Sequence, residues 1–128
     1  MENIKIEATD RSPEIDFDFA NNKFNLRGES YPEDVTAFYG PVVAKLEEHL
    51  GNQDGAAIAF NFELIYFNSS SAKILMGLFD LLDDTADDGN EVTITWAYEE
   101  EDDNMQELGE EFGEDLENAK FVLKEIAT

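Results

Sequence analysis

Apolar and polar residues alternate through three short segments at the start of the chain: Ile4/Ile6, Ile15/Phe17/Phe19 and Phe24/Leu26. A period of two puts every second side chain on one face, as in a half-buried strand. Asn21-Asn22, between the second and third segments, predicts a tight hairpin turn. The period then lengthens. Val35, Phe38, Tyr39, Val42, Val43, Leu46 and Leu50 share one face of a helix. Pro32 suits a first helical turn and Gly51 a helix end. Pro41 falls inside the pattern and has no N–H to donate, which predicts a kink or a split into two pieces.

From Ala56 to Phe67 the chain is strand-like again, with Ile58, Phe60, Phe62 and Leu64 on one face. Small groups at Ala57, Ala59 and Asn61 would let the other face be covered too, as in a central strand. A second helix follows on Ile74, Leu75, Leu78, Leu81 and Leu82, then an acidic turn from Asp83 to Asn90. Val92, Ile94, Trp96 and Tyr98 alternate as a strand, and Met105, Leu108, Phe112 and Leu116 mark a third, strongly acidic helix. Phe121 to Ile126 predicts a last short strand. The order β-β-β-α-β-α-β-α-β makes this an α/β chain, bordering on α+β, with helices packed on a mixed sheet.

A length of 128 residues suits one domain, residues 1–128, around one core, and ten Phe argue against a disordered acidic chain. Thirty-one acidic residues against eight basic ones give a net charge of −23. That field repels nucleic acid and anionic membranes and excludes both as partners; it serves solubility or favours basic protein surfaces. The absence of cysteine removes disulfides and thiolate chemistry. The N-terminal stretch is not a signal peptide, and no apolar run nears the roughly 20 residues that span a bilayer, so a cytoplasmic location is expected.

Asn68-Ser69-Ser70-Ser71 is the segment where chemistry is most legible. Asn and Ser are favoured helix N-caps, but a cap needs only one such residue. A hydroxyl there stands at the positive end of a helix, where free N–H groups would meet a phosphate, and Lys73 would add a cation. Glu99–Asp103 lacks the ligand pattern of a calcium loop and reads as the acidic start of a helix. His49 reads as a surface residue at a helix end. No nucleophile–base set, phosphate-binding glycine loop or metal-ligand spacing occurs, so no catalytic residue, cofactor or metal is expected. A binding module fits better than an acid-dependent hydrolase or metal enzyme.

Three blocks extend this reading. Gly28-Glu29-Ser30-Tyr31-Pro32-Glu33, Tyr66-Phe67-Asn68-Ser69-Ser70-Ser71-Ala72-Lys73, and Trp96-Ala97-Tyr98 followed by Met105-Gln106-Glu107-Leu108-Gly109-Glu110-Glu111 together resemble the SiaC-like family of bacterial regulatory phosphoproteins. The resemblance implies a fold like that of anti-sigma-factor antagonist (STAS) domains. It implies phosphorylation by a cognate protein kinase, reversal by a PP2C-type phosphatase, and activation of a diguanylate cyclase by the unphosphorylated form, which raises cyclic di-GMP and promotes biofilm. The family's acceptor is commonly the Thr of a Leu-Asn-Thr-Ser-Ser pattern; here Ser69 holds that place, with Ser70 as rival and Asn68, Ser71 and Lys73 around it. Ser30, Tyr31, Pro32 and Glu33 are the expected partner-binding turn. An anti-sigma factor as the partner, or an acidic inhibitor that needs no phosphorylation, are the alternatives.

Overall fold

A computed structural model describes residues 2–127. Three strands come first, β1 (Ile4–Ile6), β2 (Glu14–Asp18) and β3 (Lys23–Ser30), paired antiparallel. The β2–β3 turn brings Asn22 to φ 53°, a left-handed conformation that Asn tolerates. Helix α1 (Val35–Gly51) leads to β4 (Ala57–Phe67), α2 (Ser69–Asp87) to β5 (Glu91–Glu99), and α3 (Asp103–Glu114) to β6 (Lys120–Ile126). The sheet order is β1-β2-β3-β4-β5-β6, with β3 to β6 parallel. A mixed sheet with packed helices is thus what the alternating periods foretold. No helix among the described residues is long and apolar enough to cross a membrane.

Because β3 to β6 lie side by side in chain order, crossovers of one hand set all three helices on the same face. Phe24, Leu26, Phe60, Phe62, Ile94 and Trp96 point into that layer and are buried, against Leu46, Leu75 and Leu82 from the helices. The other face stays open. Ala57 and Ala59 are exposed and Asn61 half-buried, so the expected cover on the second face of β4 is absent. Polar pairs occupy it instead: Asn61 Nδ2 donates to Asn25 Oδ1 at 3.2 Å, and Arg27 holds Glu14 at 2.6 Å.

Four local expectations are corrected. Helix α1 runs unbroken through Pro41; Ala37, whose carbonyl loses its donor, is exposed, so water can replace that bond. Pro32 precedes the helix, and Asp34 is the cap, its side chain accepting from Ala37 N. The residues from Asp83 to Asp87 are not a turn but the last turns of α2. Thr85 carries the buried stripe onward from Leu78 and Leu82, its Oγ1 donating to the Leu81 carbonyl at 2.8 Å. Leu116 lies beyond α3, half-buried against the core.

His49 is no free surface residue either. Its Nε2 lies 2.6 Å from Asn22 Oδ1, and its ring packs edge-on to Phe19 at 5.0 Å. Asn22 Nδ2 donates to Gln53 Oε1, which turns Oδ1 toward the histidine and makes Nε2 the donor. Burial pushes the His49 pKa down, so the fold favours the neutral ring. A pKa below the unfolded value leaves stability intact above about pH 6.5 and erodes it as pH falls further. Denaturation midpoints should therefore drop between pH 7 and 5.5, and His49→Gln should flatten that drop. A wild-type slope unchanged in the variant would contradict this assignment.

Candidate functional site

The site is built where β4 stops. Phe67 ends the strand, and Asn68 stays extended at φ −91°, ψ 178°. Its Oδ1 accepts from Ser71 N at 2.9 Å, and its carbonyl accepts from Ala72 N, which closes the first turn of α2. Its own N–H donates to the Ser30 carbonyl at 3.1 Å and ties the cap to the end of β3. These bonds fix the start of the helix from both sides.

The three serines then separate by geometry. Ser69 and Ser70 are exposed at the first two helical positions, where backbone N–H groups have no partner within the helix. Ser71 has no accessible surface. Ser30 Oγ donates to Ser71 Oγ at 2.8 Å and lies 2.5 Å from the Tyr39 hydroxyl. Burial pushes the Tyr39 pKa up to about 12, only partly offset by the bond to Ser30, so this hydroxyl chain stays uncharged at neutral pH. It joins α1, β3 and α2 behind the exposed pair. Ser30 is buried in the same chain and cannot touch a partner, unlike the role its turn suggested.

The neighbouring turn does lie beside the site. The β3–β4 register shifts between Gly28 and Glu29, where Ile65 of β4 is left without a partner, and Gly28 stands at φ 114°, a conformation glycine adopts without strain. Beyond it, Tyr31 N donates to the Arg11 carbonyl at 2.7 Å. The Tyr31 ring meets Tyr66 edge-on at 5.6 Å. Tyr66 is 50% exposed and Ile65 52%, unusual for large apolar side chains. Pro32 is half-buried, and exposed Glu33 reaches Arg11 at 3.7 Å, an ion pair in water that holds little energy. Sequence reasoning passed over Ile65 as part of the surface. Its signal is the break in alternation: Leu64, Ile65, Tyr66 and Phe67 are four apolar residues in a row.

Lys73 is exposed one turn below Ser69 on the same side of α2 and is the helix's single base. On the far side of β4, β5 ends in the acidic turn, where Asp102 caps α3 by accepting from Met105 N at 3.0 Å. The exposed hydroxyls thus stand at the carboxyl end of the central strand, between an aromatic turn and an acidic one.

Comparison with known proteins gives a consistent result. The sequence profile of the SiaC family of regulatory phosphoproteins matches residues 6–126. An uncharacterized protein of Pseudomonas aeruginosa (strain UCBPP-PA14) is 33% identical over 116 residues, 90% of each chain. Among solved structures, apo-SiaC of Pseudomonas aeruginosa superposes with a TM-score of 0.87 at 31% identity, covering 97% of this chain and 99% of that one. The SiaC chain solved in complex with the diguanylate cyclase SiaD, which it activates, gives 0.90 at 29% identity, covering 96% and 99%.

Proposed function

The chain belongs to the SiaC family of regulatory phosphoproteins, and we propose on that footing that it is a non-enzymatic activator of a diguanylate cyclase, switched by phosphorylation of Ser69. The observation that carries the reading is the sorting of the three serines: two hydroxyls face solvent at a helix start, and the third is locked behind them. A cognate cytoplasmic kinase modifies Ser69, and a PP2C-type phosphatase restores it. A phosphate on Ser69 meets unpartnered N–H groups and the positive end of α2, so the fold tolerates it. The unphosphorylated form is the one that binds the cyclase; SiaC of Pseudomonas aeruginosa is found in complex with the cyclase SiaD, which it activates.

The test joins modification to output. Incubation with the cognate kinase and ATP should add one phosphate by intact mass. The unmodified protein should raise cyclic di-GMP synthesis by the cyclase, and the modified protein should not. A cyclase indifferent to the unmodified protein would remove the reading.

The partner is expected at the end of the sheet that carries Ser69, because a phosphate can veto only a contact it lies in or beside. Tyr31→Ala should weaken cyclase binding by more than about 1 kcal/mol, as loss of interface aromatics does. Glu110→Ala, on the exposed side of α3, should change little. Calorimetric titration of both variants, with circular dichroism as the folding check, decides; normal binding by Tyr31→Ala with failure of Glu110→Ala would move the contact to the acidic helix.

A further inference from the structure

The face of the sheet turned away from the helices is uncovered and differs in charge from the rest of the molecule. Five of the eight Lys and Arg residues lie on it: Lys5, Lys23, Arg27, Lys120 and Lys124. The helices hold only Lys45 and Lys73 among their acidic residues. Register sorts these charges by strand. One row of paired residues runs Asp18-Lys23-Ala59-Thr93-Lys120, and another runs Glu14-Arg27-Glu63-Ala97-Lys124. Each row starts with an acid on β2 and ends with a base on β6, with β4 midway. Size is sorted too: β3 raises the long side chains of Lys23 and Arg27, while β5 holds Thr93 and Ala97 at the same heights. Beside Ala97 lies a cavity of about 490 Å³, walled by Glu63, Glu99, Ile65 and Ile126.

This pattern is complementary to itself. A two-fold axis laid along β4, between two such faces, sets β2 of one copy over β6 of the other and β3 over β5. The rows keep their heights under that rotation. Asp18 then meets Lys120 of the second copy, and Glu14 meets its Lys124. Arg27 of the second copy comes over Ala97, at the cavity that Glu63 and Glu99 flank. Glu63 stands beside the axis and faces its own counterpart, and the incoming Arg27 supplies the opposite charge. We propose that the open face binds a second copy of this chain, sheet against sheet, as a reversible two-fold dimer. Five strands about 4.8 Å apart and roughly seven residues deep cover about 500 Å² per copy, and about 1,000 Å² in total is the lower bound of a specific contact. The net charge of −23 opposes association, but it resides mostly on the helical layer, and the screening length at physiological salt is only about 8 Å. Because the axis follows the strands, both carboxyl ends point the same way. The two Ser69 hydroxyls therefore stand at one end of the dimer, outside the contact. This goes beyond the reading of the chain as a switch and does not depend on it.

Sedimentation velocity of the purified chain, from micromolar to millimolar concentration at about 0.15 M salt, tests this. Wild-type protein should pass from monomer to dimer over that range. Lys124→Glu and Glu14→Lys should each weaken the dimer at least tenfold, since the two-fold axis makes every reversal count twice. Glu14→Lys should do so even though it lowers the net charge that opposes association. An equal mixture of the two variants should dimerise again, because each reversed residue meets its reversed partner on the other chain. That rescue also shows that neither variant has merely misfolded. Glu47→Lys, the same change of charge on the exposed side of α1, should not weaken the dimer. Ala59→Trp, at an exposed position beside the axis, should leave only monomer, with circular dichroism unchanged. A wild type that stays monomeric throughout overturns the proposal. So does a dimer indifferent to both reversals, or a mixture that fails to associate. No cyclase or kinase enters this assay, so its outcome is independent of the activation test above.

Discussion

Ser69→Ala should end kinase-dependent modification outright, while Ser70→Ala leaves it nearly intact. Both hydroxyls are exposed, so access alone does not choose between them. The resemblance to the SiaC-family pattern does, since its acceptor directly follows the Asn that Asn68 matches. Ser69 shares its side of α2 with Lys73 and, a turn further, Met76, on the face toward α3. Ser70 stands above Ile74, which lines a cavity with Tyr39 and Val43 of α1. Phosphate mapped to Ser70 would refute the choice. Modification of Ser69 should lower partner affinity at least tenfold. It adds about −1.5 to −2 charges, small beside −23, so the bulk field hardly changes. A charge forced out of water in a contact costs several kcal/mol, and about 1.4 kcal/mol is already tenfold. The loss should therefore persist at high salt, and recovery of binding on adding salt would refute a local veto.

Trp96→Ala should cost about 3–5 kcal/mol of folding stability, out of a total of about 5–15 for a typical domain. The indole is 1% exposed and packs among Phe62, Phe67, Phe79 and Phe112. Its Nε1 donates to the Met105 carbonyl at 3.0 Å and pins the first turn of α3. Gly109, one turn on, presses so closely on the ring that a Cβ would collide with it. Deleting the indole removes the surface on which α3 sits. Chemical denaturation should show the lowered midpoint, with Trp96→Phe falling between. A loss below about 1 kcal/mol would mean that α3 is held by something else.

The element order and most of the core were legible because alternation and helical spacing report directly which side chains are buried. Asn68 was legible as a cap, and Ser69 is proposed as the acceptor through the blocks that resemble the SiaC family. What the sequence concealed depended on tertiary position. Ser71 falls on the buried stripe of α2, four residues before Leu75, but its polar partners, Tyr39 and Ser30, lie thirty-two and forty-one residues away. The open face of β4 followed from all crossovers lying on one side, which no single strand reveals. Thr85 looked like part of an acidic turn because a polar residue can carry a buried stripe once its hydroxyl bonds to its own helix.

The strictly sequential strand order bears on how the molecule comes into being. Each strand pairs only with its neighbours along the chain, so no segment waits for a distant one before it docks. The β1–β2–β3 meander closes over short loops, and every later strand adds with its own helix at the growing edge. During synthesis at about 5–20 residues per second, the sheet can be laid down from β1 toward β6 as the chain emerges. The meander closes cheaply, whereas each parallel pair joins residues roughly 27 to 37 apart, a closure cost that slows the later strands. Ser71 lies in the first turn after the fourth strand, so its hydroxyl chain to Ser30 and Tyr39 can form before β5 and β6 exist. The proposed switch region is thus set ahead of the acidic third helix.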